Sequence, residues 1–298
     1  MGKLYAIGDI HLGHPFNTEA WKLLDDHPDD GLILCGDVGE SAAHLELAFT
    51  AAVRKFKQVW WCPGNHELYT MALKTTLRGE EKYAECVEIA RNYGVWTPED
   101  DFVEWRGGGS SEDDAAIVAP IFTLYDYTFR PEGMDKDAAL QWASEADTVA
   151  TDEFLLHPDP FPTREDWCNA LVIKTERKLE EANSRNLPLI IVNHWPLRED
   201  LVHIPRVPRF KLWCGTKKTE DWHKRFNNTK VVVSGHLHVP RTDWKDGVRF
   251  EECSLGYPKQ WELPRNNGLN INHLLREILP GPPAPASGTA GPEWRRYG

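Results

Sequence analysis

Five short segments of this chain carry side chains that could hold a cation and do hydrolytic chemistry. Gly8-Asp9-Ile10-His11 sets a carboxylate and an imidazole two residues apart, so one loop could aim both at a single ion. Gly36-Asp37-Val38-Gly39-Glu40 offers a second carboxylate, and Gly64-Asn65-His66-Glu67 adds an amide oxygen and another imidazole. His194 follows Asn193, and Gly235-His236-Leu237-His238 presents two imidazoles. One such His or Asp is more often a turn or capping residue than a ligand. Five blocks together argue against that reading. Mixed nitrogen and oxygen donors suit Mn, Fe, Zn, Co or Ni, whereas an imidazole-rich set is poor for Mg or Ca.

Something must carry these blocks to one place, and the residues before them say what. Leu4 to Ile7, Leu32 to Cys35, Val59 to Cys62, Leu189 to Val192 and Val231 to Val233 are apolar runs of strand length, each followed by a block. Strand, loop, chemistry, repeated with helix-period segments between, predicts an α/β enzyme whose site gathers at the carboxyl ends of its strands. After a Ser41 cap, Leu45, Ala48, Phe49, Ala52, Val53 and Phe56 fall on one helical face. Tyr83, Cys86, Val87 and Ala90 do the same, with Gly94 as the stop, and a third helix is expected from about Arg164 to about Ser184, with Trp167, Leu171, Thr175 and Ala182 inward. Lys245-Asp246-Gly247 between two strand-like runs predicts a hairpin. A short helix is expected around Asn270 to Ile278, a surface loop over Trp105 to Ala115, and a disordered tail from Pro280 to Gly298, where Pro, Gly, Ala and Ser cannot support a core. This gives one domain over 1–279, with cap or loop insertions at about 101–165 and 196–225, and a tail over 280–298.

Asp-x-His, Gly-Asp, Gly-Asn-His-Glu, a lone His and Gly-His-x-His, in that order from Gly8 to His238, resemble the signature of the calcineurin-like metallophosphoesterases. That resemblance implies a sandwich of two mixed β-sheets flanked by helices, with a dinuclear metal site at the strand ends. It implies that Asp9, His11 and His238 hold one metal and Asn65, His194 and His236 the other, with Asp37 bridging. His66 resembles the family's non-ligand histidine, which contacts the phosphate and can protonate the leaving oxygen, a task suited to an imidazole. Two cations about 3.5 to 4 Å apart need a shared carboxylate and hydroxide between them. They generate that hydroxide at neutral pH and orient the phosphate for in-line attack, so no protein nucleophile is required. His14 and Glu67 read as supporting or structural residues, Glu40 is left open, and His203 and His223 read as surface or rim residues rather than ligands. Trp60, Trp61 and Trp195 read as core or pocket wall.

Leu124-Tyr125-Asp126-Tyr127, Thr151 to Leu156, Leu212 to Thr216 and Leu255-Gly256-Tyr257-Pro258 resemble a subgroup, common in actinobacteria, that includes phosphopantetheinyl hydrolases. Those members cleave the phosphodiester joining phosphopantetheine to a serine of an acyl carrier protein, so a holo acyl carrier protein is the substrate this likeness implies. A phosphodiesterase or phosphatase of small nucleotides is the alternative, and a metal-free protein-binding scaffold is the non-enzyme alternative.

Composition narrows the partners further. A formal charge of -12 argues against a protein whose main partner is the nucleic-acid backbone. From Arg198 to Lys230, nine Lys or Arg face four acids, a local +5 that leaves -17 on the remainder. That stretch is either a solvated face or a rim for an anionic substrate or acidic protein, with His203, Arg206 and Arg209 as candidate substrate contacts. No apolar run is long enough to span a bilayer, no signal-peptide pattern opens the chain, and six scattered cysteines read as reduced core thiols, so a cytoplasmic protein is expected. Manganese is the favoured metal.

Overall fold

The structure, a computed structural model, describes residues 2–107 and 115–295. In one sheet β1 (Leu4–Ile7), β2 (His27–Cys35) and β3 (Phe56–Cys62) run parallel, and β10 (Arg276–Leu279) closes the β1 edge antiparallel. The second sheet contains β4 (Glu104–Trp105), β5 (Ala116–Pro120), β6 (Leu189–Val192), β7 (Thr229–Ser234), β8 (Arg241–Lys245), β9 (Val248–Glu252) and β11 (Ala290–Trp294). Its order is β11-β8-β9-β7-β6-β5-β4, with β5, β6, β7 and β9 parallel and the edges antiparallel.

The two sheets pack face to face because their strands are apolar on both sides, as parallel strands with covered faces must be. Alternate residues point each way. Ile33 and Cys35, Trp60 and Cys62, Ile190 and Val192, and Val231 and Val233 fill the space between the sheets. Leu32, Leu34, Trp61, Ile191 and Val232 face outward into a second core against the helices. Those helices are α1 (Pro15–Lys22), α2 (Ala42–Lys55), α3 (Gly79–Asn92) and α6 (Arg164–Ser184). Ser41 caps α2 by accepting the His44 N–H, and Thr163 caps α6 by accepting that of Asp166. The predicted inward faces of all three long helices are buried, except that Val53 is half-buried and Phe56 already starts β3. All six cysteines are buried and unpaired.

Two segments between strands tie together into a cap. The first holds α4 (Lys136–Ser144) and α5 (Asp152–Leu155), and the second, after β6, holds three short 3-10 turns and α7 (Trp222–Arg225). They tie to each other: the Trp213 indole donates to Glu153 (2.7 Å), Thr216 Oγ1 donates to Asp126 (2.8 Å), and the Lys217 N–H donates to Thr128 Oγ1 (2.9 Å).

Three expectations are corrected. The segment read as a short helix from Asn270 to Ile278 is one helical turn, α9 (Ile271–Leu274), and then strand β10, because Arg276 to Leu279 complete the open edge of β1; α8 (Glu262–Asn266) precedes it. The segment read as a disordered tail instead lays β11 on β8, pairing Ala290 with Trp244 and Trp294 with Arg241. A bulge at this edge accommodates Pro292, which has no N–H to give. Arg295 anchors the strand by donating to Thr242 Oγ1 and the buried Glu251 (both 2.7 Å) and to the Glu252 carbonyl. Of the expected surface loop, Trp105 is instead a buried strand residue, while 108–114 lie outside the described residues. The hairpin forms as expected, with Asp246 (φ 54°) and Gly247 (φ 80°) in the left-handed region that such a turn requires.

Candidate metal centre

All five blocks leave the carboxyl ends of β1, β2, β3, β6 and β7 and meet at one edge of the sandwich. The backbone there turns sharply. Asp9, His11, Asp37, His236 and His238 all have positive φ, between 47° and 71°, which costs a non-glycine residue energy and is sustained only by surrounding structure. Gly36 and Gly64 permit the close approach: a Cβ on Gly36 would lie 2.5 Å from His194 Nδ1, and one on Gly64 would lie 2.5 Å from the Asp37 nitrogen.

Three groups of possible donors lie here, one of them His11, Glu40 and His66, and the other two share Asp37. Asp9, His11, Asp37 and His238 place ligand atoms within 4.8 Å of one another, as do Asp37, His194 and His236. His11 Nε2 is 3.1 Å from His238 Nε2, and His238 Nε2 is 2.9 Å from Asp9 Oδ1. In the second group His236 Nδ1 is 3.2 Å from Asn65 Oδ1 and 3.3 Å from His194 Nε2. Asp37 Oδ2 lies 4.0 Å from His11 and 3.5 Å from His194, between the groups. The seven residues that the motif singled out are thus brought together, and each group contains both nitrogen and oxygen donors.

Tautomers and orientations fit a metal pair. His194 Nδ1 donates to the Cys35 carbonyl (2.9 Å), which turns Nε2 toward Asp37 (3.5 Å). His238 Nδ1 donates to Gln260 Oε1 (2.7 Å), which also accepts the Tyr257 N–H, so His238 Nε2 likewise faces inward, toward Asp9. Asn65 donates through Nδ2 to Tyr69 and Asp152 (both 2.9 Å), turning its carbonyl oxygen to His236. Asp9 accepts from Ser254 Oγ (2.7 Å) and from the His236 N–H. Imidazoles, carboxylates and an amide oxygen packed this closely are a donor set that cations would suit.

Without cations the charges divide the set: burial disfavours the imidazolium of His194 and His238, but Asp37 outweighs it at the first and Asp9 at the second, so both are raised, and a metal would have to displace those protons. Burial favours neutral Asp37, but His194 and His66 outweigh it and hold the carboxyl well below its usual range; Asp9 is similarly brought to about 2, against burial, chiefly by His238. Burial pushes His11 and His236 down to about 3, so both rings are neutral, the form that binds metal.

Around this set the structure resolves what the sequence left open. His66 Nδ1 donates to Glu40 Oε1 at 3.2 Å, which leaves Nε2 3.8 Å from Asp37 Oδ2. Glu67 is structural: its carboxylate accepts the N–H groups of Asp37 (3.0 Å), Val38 (2.5 Å) and Gly64 (2.7 Å), clamping the loops after β2 and β3 together. His14 is exposed at the rim, with its ring 5.3 Å from that of Tyr257, which stacks on His11 at 4.4 Å. Trp60 and Trp61 are core, and Trp195 packs against His194 and His236. His223 is buried rather than superficial, pairing with Asp246 at 3.0 Å.

The basic stretch dissolves into ion pairs. Arg198 pairs with Asp200, Lys211 and Lys217 with Glu199, Lys218 with Asp126, Lys224 with Asp246, and Arg225 with Glu176 and Glu180. Arg209 is turned to the cap, stacked on Trp142 at 4.7 Å and donating to its carbonyl, so it ties the insertions together instead of facing substrate. Arg206 and His203 do line a groove that includes His238. Sequence reasoning missed Asp152, Ser254, Tyr257 and Gln260 as supports of the site. Asp152 and Tyr257 lie inside the stretches singled out for their subgroup likeness, and that was their one sequence signal.

Residues 2–240 match the calcineurin-like phosphoesterase family, and the chain belongs to that family: it is a metallophosphoesterase of a dinuclear metal-dependent class, with donor groups suited to two ions. It is similar to the acyl-carrier-protein phosphodiesterase PptH of Mycobacterium tuberculosis, 43% identical over 284 residues, which are 94% of this chain and 84% of that protein. The crystal structure of the same phosphopantetheinyl hydrolase superposes with a TM-score of 0.86 at 42% identity, covering 94% of this chain and 97% of that one. A dimetal phosphatase from Danio rerio is far more distant, with a TM-score of 0.43 at 11% identity over 86% of this chain and 87% of that one. Among the described residues no helix is long and apolar enough to cross a membrane.

Proposed function

We propose that this chain hydrolyses the phosphodiester joining 4'-phosphopantetheine to the serine of a holo acyl carrier protein. The observation that carries this reading is the 43% identity, sustained over 94% of the chain, to an acyl-carrier-protein phosphodiesterase. Asp9, His11 and His238 would hold one cation, Asn65, His194 and His236 the other, and Asp37 both. Two cations there would activate water and neutralise the phosphate oxygens for in-line displacement. The oxygens of Asp9, Asp37 and Asn65 put manganese first, ahead of Fe, Zn, Co or Ni. Buried, unpaired cysteines throughout fit a reducing compartment, the cytoplasm.

The chain's own part is to position and to move one proton. Glu40 holds His66 through Nδ1, which would leave Nε2 to face the phosphate and protonate the departing serine oxygen. Burial disfavours the His66 imidazolium, but Asp37 and Glu40 outweigh it and hold the ring at about 9, so it carries a proton to give. Cations on Asp37 would lower that value toward the neutral range in which a general acid works best.

Intact-mass analysis of a holo acyl carrier protein incubated with the enzyme and manganese tests the proposal, with Asp37→Asn as control. Wild type should convert holo to apo, and Asp37→Asn should be slower by about a thousandfold or more. An unchanged holo mass, with a model phosphodiester still cleaved, would send the substrate search to small nucleotides. Full activity of Asp37→Asn would sink the two-metal assignment.

A further inference from the structure

A groove of about 590 Å³ includes His238 in its lining, so whatever occupies it reaches the metal ligands. Ile204, Val207, Leu237 and Val239 supply aliphatic surface, and Trp294 of the C-terminal strand supplies an aromatic one. Arg206 and Lys259 add two cations, and no ion pair among the described residues involves either. Trp294 is held in place from three sides: its backbone pairs with Arg241, the Arg241 guanidinium lies 5.1 Å over its ring, and the His203 ring is 5.1 Å away. Arg295, the next residue, is anchored on buried Glu251.

We propose that this groove is the binding site for the pantetheine arm and that Trp294, from the terminal strand, is one of its walls. This deepens, and rests on, the substrate reading above. The arm is a slender chain of methylenes, a dimethyl carbon and two amides, ending in a phosphate at the scissile bond. Aliphatic and aromatic lining suits the first part, and Arg206 and Lys259 suit the anionic end. The volume falls within the range of about 300 to 1,000 Å³ typical of small-molecule sites. A docking face for the folded carrier would instead be a broad patch of about 800 Å² on each partner.

The test compares two inhibitors of bis(p-nitrophenyl) phosphate hydrolysis by the full-length, manganese-loaded enzyme: 4'-phosphopantetheine and inorganic phosphate. Both report on the metal pair, and only the first has an arm. Wild type should be inhibited by phosphopantetheine at a concentration at least about tenfold lower than by phosphate, the scale of one well-packed aromatic contact with its surrounding burial. The ratio should fall toward one in Trp294→Ala and in Val207→Glu. Taking the ratio within each protein cancels any change in basal rate. Val207 is 47% exposed, so its substitution tests the groove even where loss of Trp294 loosens the terminal strand.

A wild-type ratio near one overturns the proposal, as does a ratio that both variants retain. The result also separates from the substrate reading. An arm-dependent ratio without conversion of holo carrier keeps the groove and removes the carrier protein, whereas conversion without an arm-dependent ratio keeps the carrier protein and removes the groove.

Discussion

Asn65 offers a neutral oxygen among charged donors, and what aims it is a residue 87 positions further along the chain. Asp152 Oδ1 accepts from both Asn65 Nδ2 (2.9 Å) and Tyr69 OH (2.7 Å), and Arg164 in turn holds α5 by donating to the Asp152 carbonyl (2.7 Å) and the Leu156 carbonyl (2.9 Å). Removing a partner that orients a metal ligand typically weakens metal affinity by about 10- to 100-fold. Asp152→Ala should therefore weaken binding of one of two manganese ions by that factor, read by metal titration, while the other ion stays tight. Equal weakening of both ions, or of neither, would contradict the pairing of Asn65 with a single ion. His66 makes a different prediction because its role depends on the leaving group. His66→Asn should slow cleavage of a serine phosphodiester by about 10²- to 10⁴-fold, and should slow a p-nitrophenyl ester much less, since p-nitrophenolate departs without a proton. Equal losses on both substrates would remove His66 from the acid role.

The strands and loops fix how closely these residues approach. Glu67 accepts backbone N–H groups from the loops after β2 and β3, and Gly64 stands where a Cβ would press on Asp37. Burial and the Asp37 charge push Glu67 up to about 7, against the N–H bonds that favour its carboxylate, so this clamp is under electrostatic load from its neighbour. Gly64→Ala should displace the shared carboxylate by a fraction of an ångström to an ångström. A misplacement of that size costs about a hundredfold in rate. The check is kcat together with the circular dichroism spectrum: a hundredfold loss with an unchanged fold is the expected result, and a near-normal kcat would show that the two loops can part without harm. These elements were largely legible in the sequence, because apolar runs of strand length and one-sided helical stripes are local patterns. The Ser41 and Thr163 caps and the Asp246-Gly247 turn are local for the same reason. β10 and β11 were not legible. Each is an edge strand made by completing a sheet that is built elsewhere, and composition alone favoured helix for one and disorder for the other.

Across the whole molecule, the terminal strand and the charge distribution set what the site can recruit. Arg249, Arg276 and Arg295 surround the fully buried Glu251, so the last described residue closes a buried charge cluster beneath β8 and β9. Deleting 290–298 removes one of those three cations and the edge strand. With two cations still on Glu251, the loss should be smaller than for an isolated buried pair, about 2 kcal/mol, or roughly 5 °C in Tm. Differential scanning calorimetry measures this, and an unchanged Tm would mean that the strand contributes nothing to the folded core. Most cations between Arg198 and Lys230 are paired, whereas Arg206 and Lys259, which line the groove with His238, enter no ion pair among the described residues.

The donor types, their order and the strands that carry them can be read along the chain, because a metal-binding residue at a strand end needs only its own few neighbours to be recognised. The family and its chemistry followed from five such blocks. Folding fixes which carboxylate oxygen lies between the two groups, which ring nitrogen His194 and His238 turn inward, and that Glu40 holds His66 while Asp152 holds Asn65. It also decides that Arg209 belongs to the cap and Trp294 to the groove. Those facts depend on contacts between residues tens to hundreds of positions apart, and no spacing along the chain encodes which side chains will meet once two sheets and a cap have closed around them.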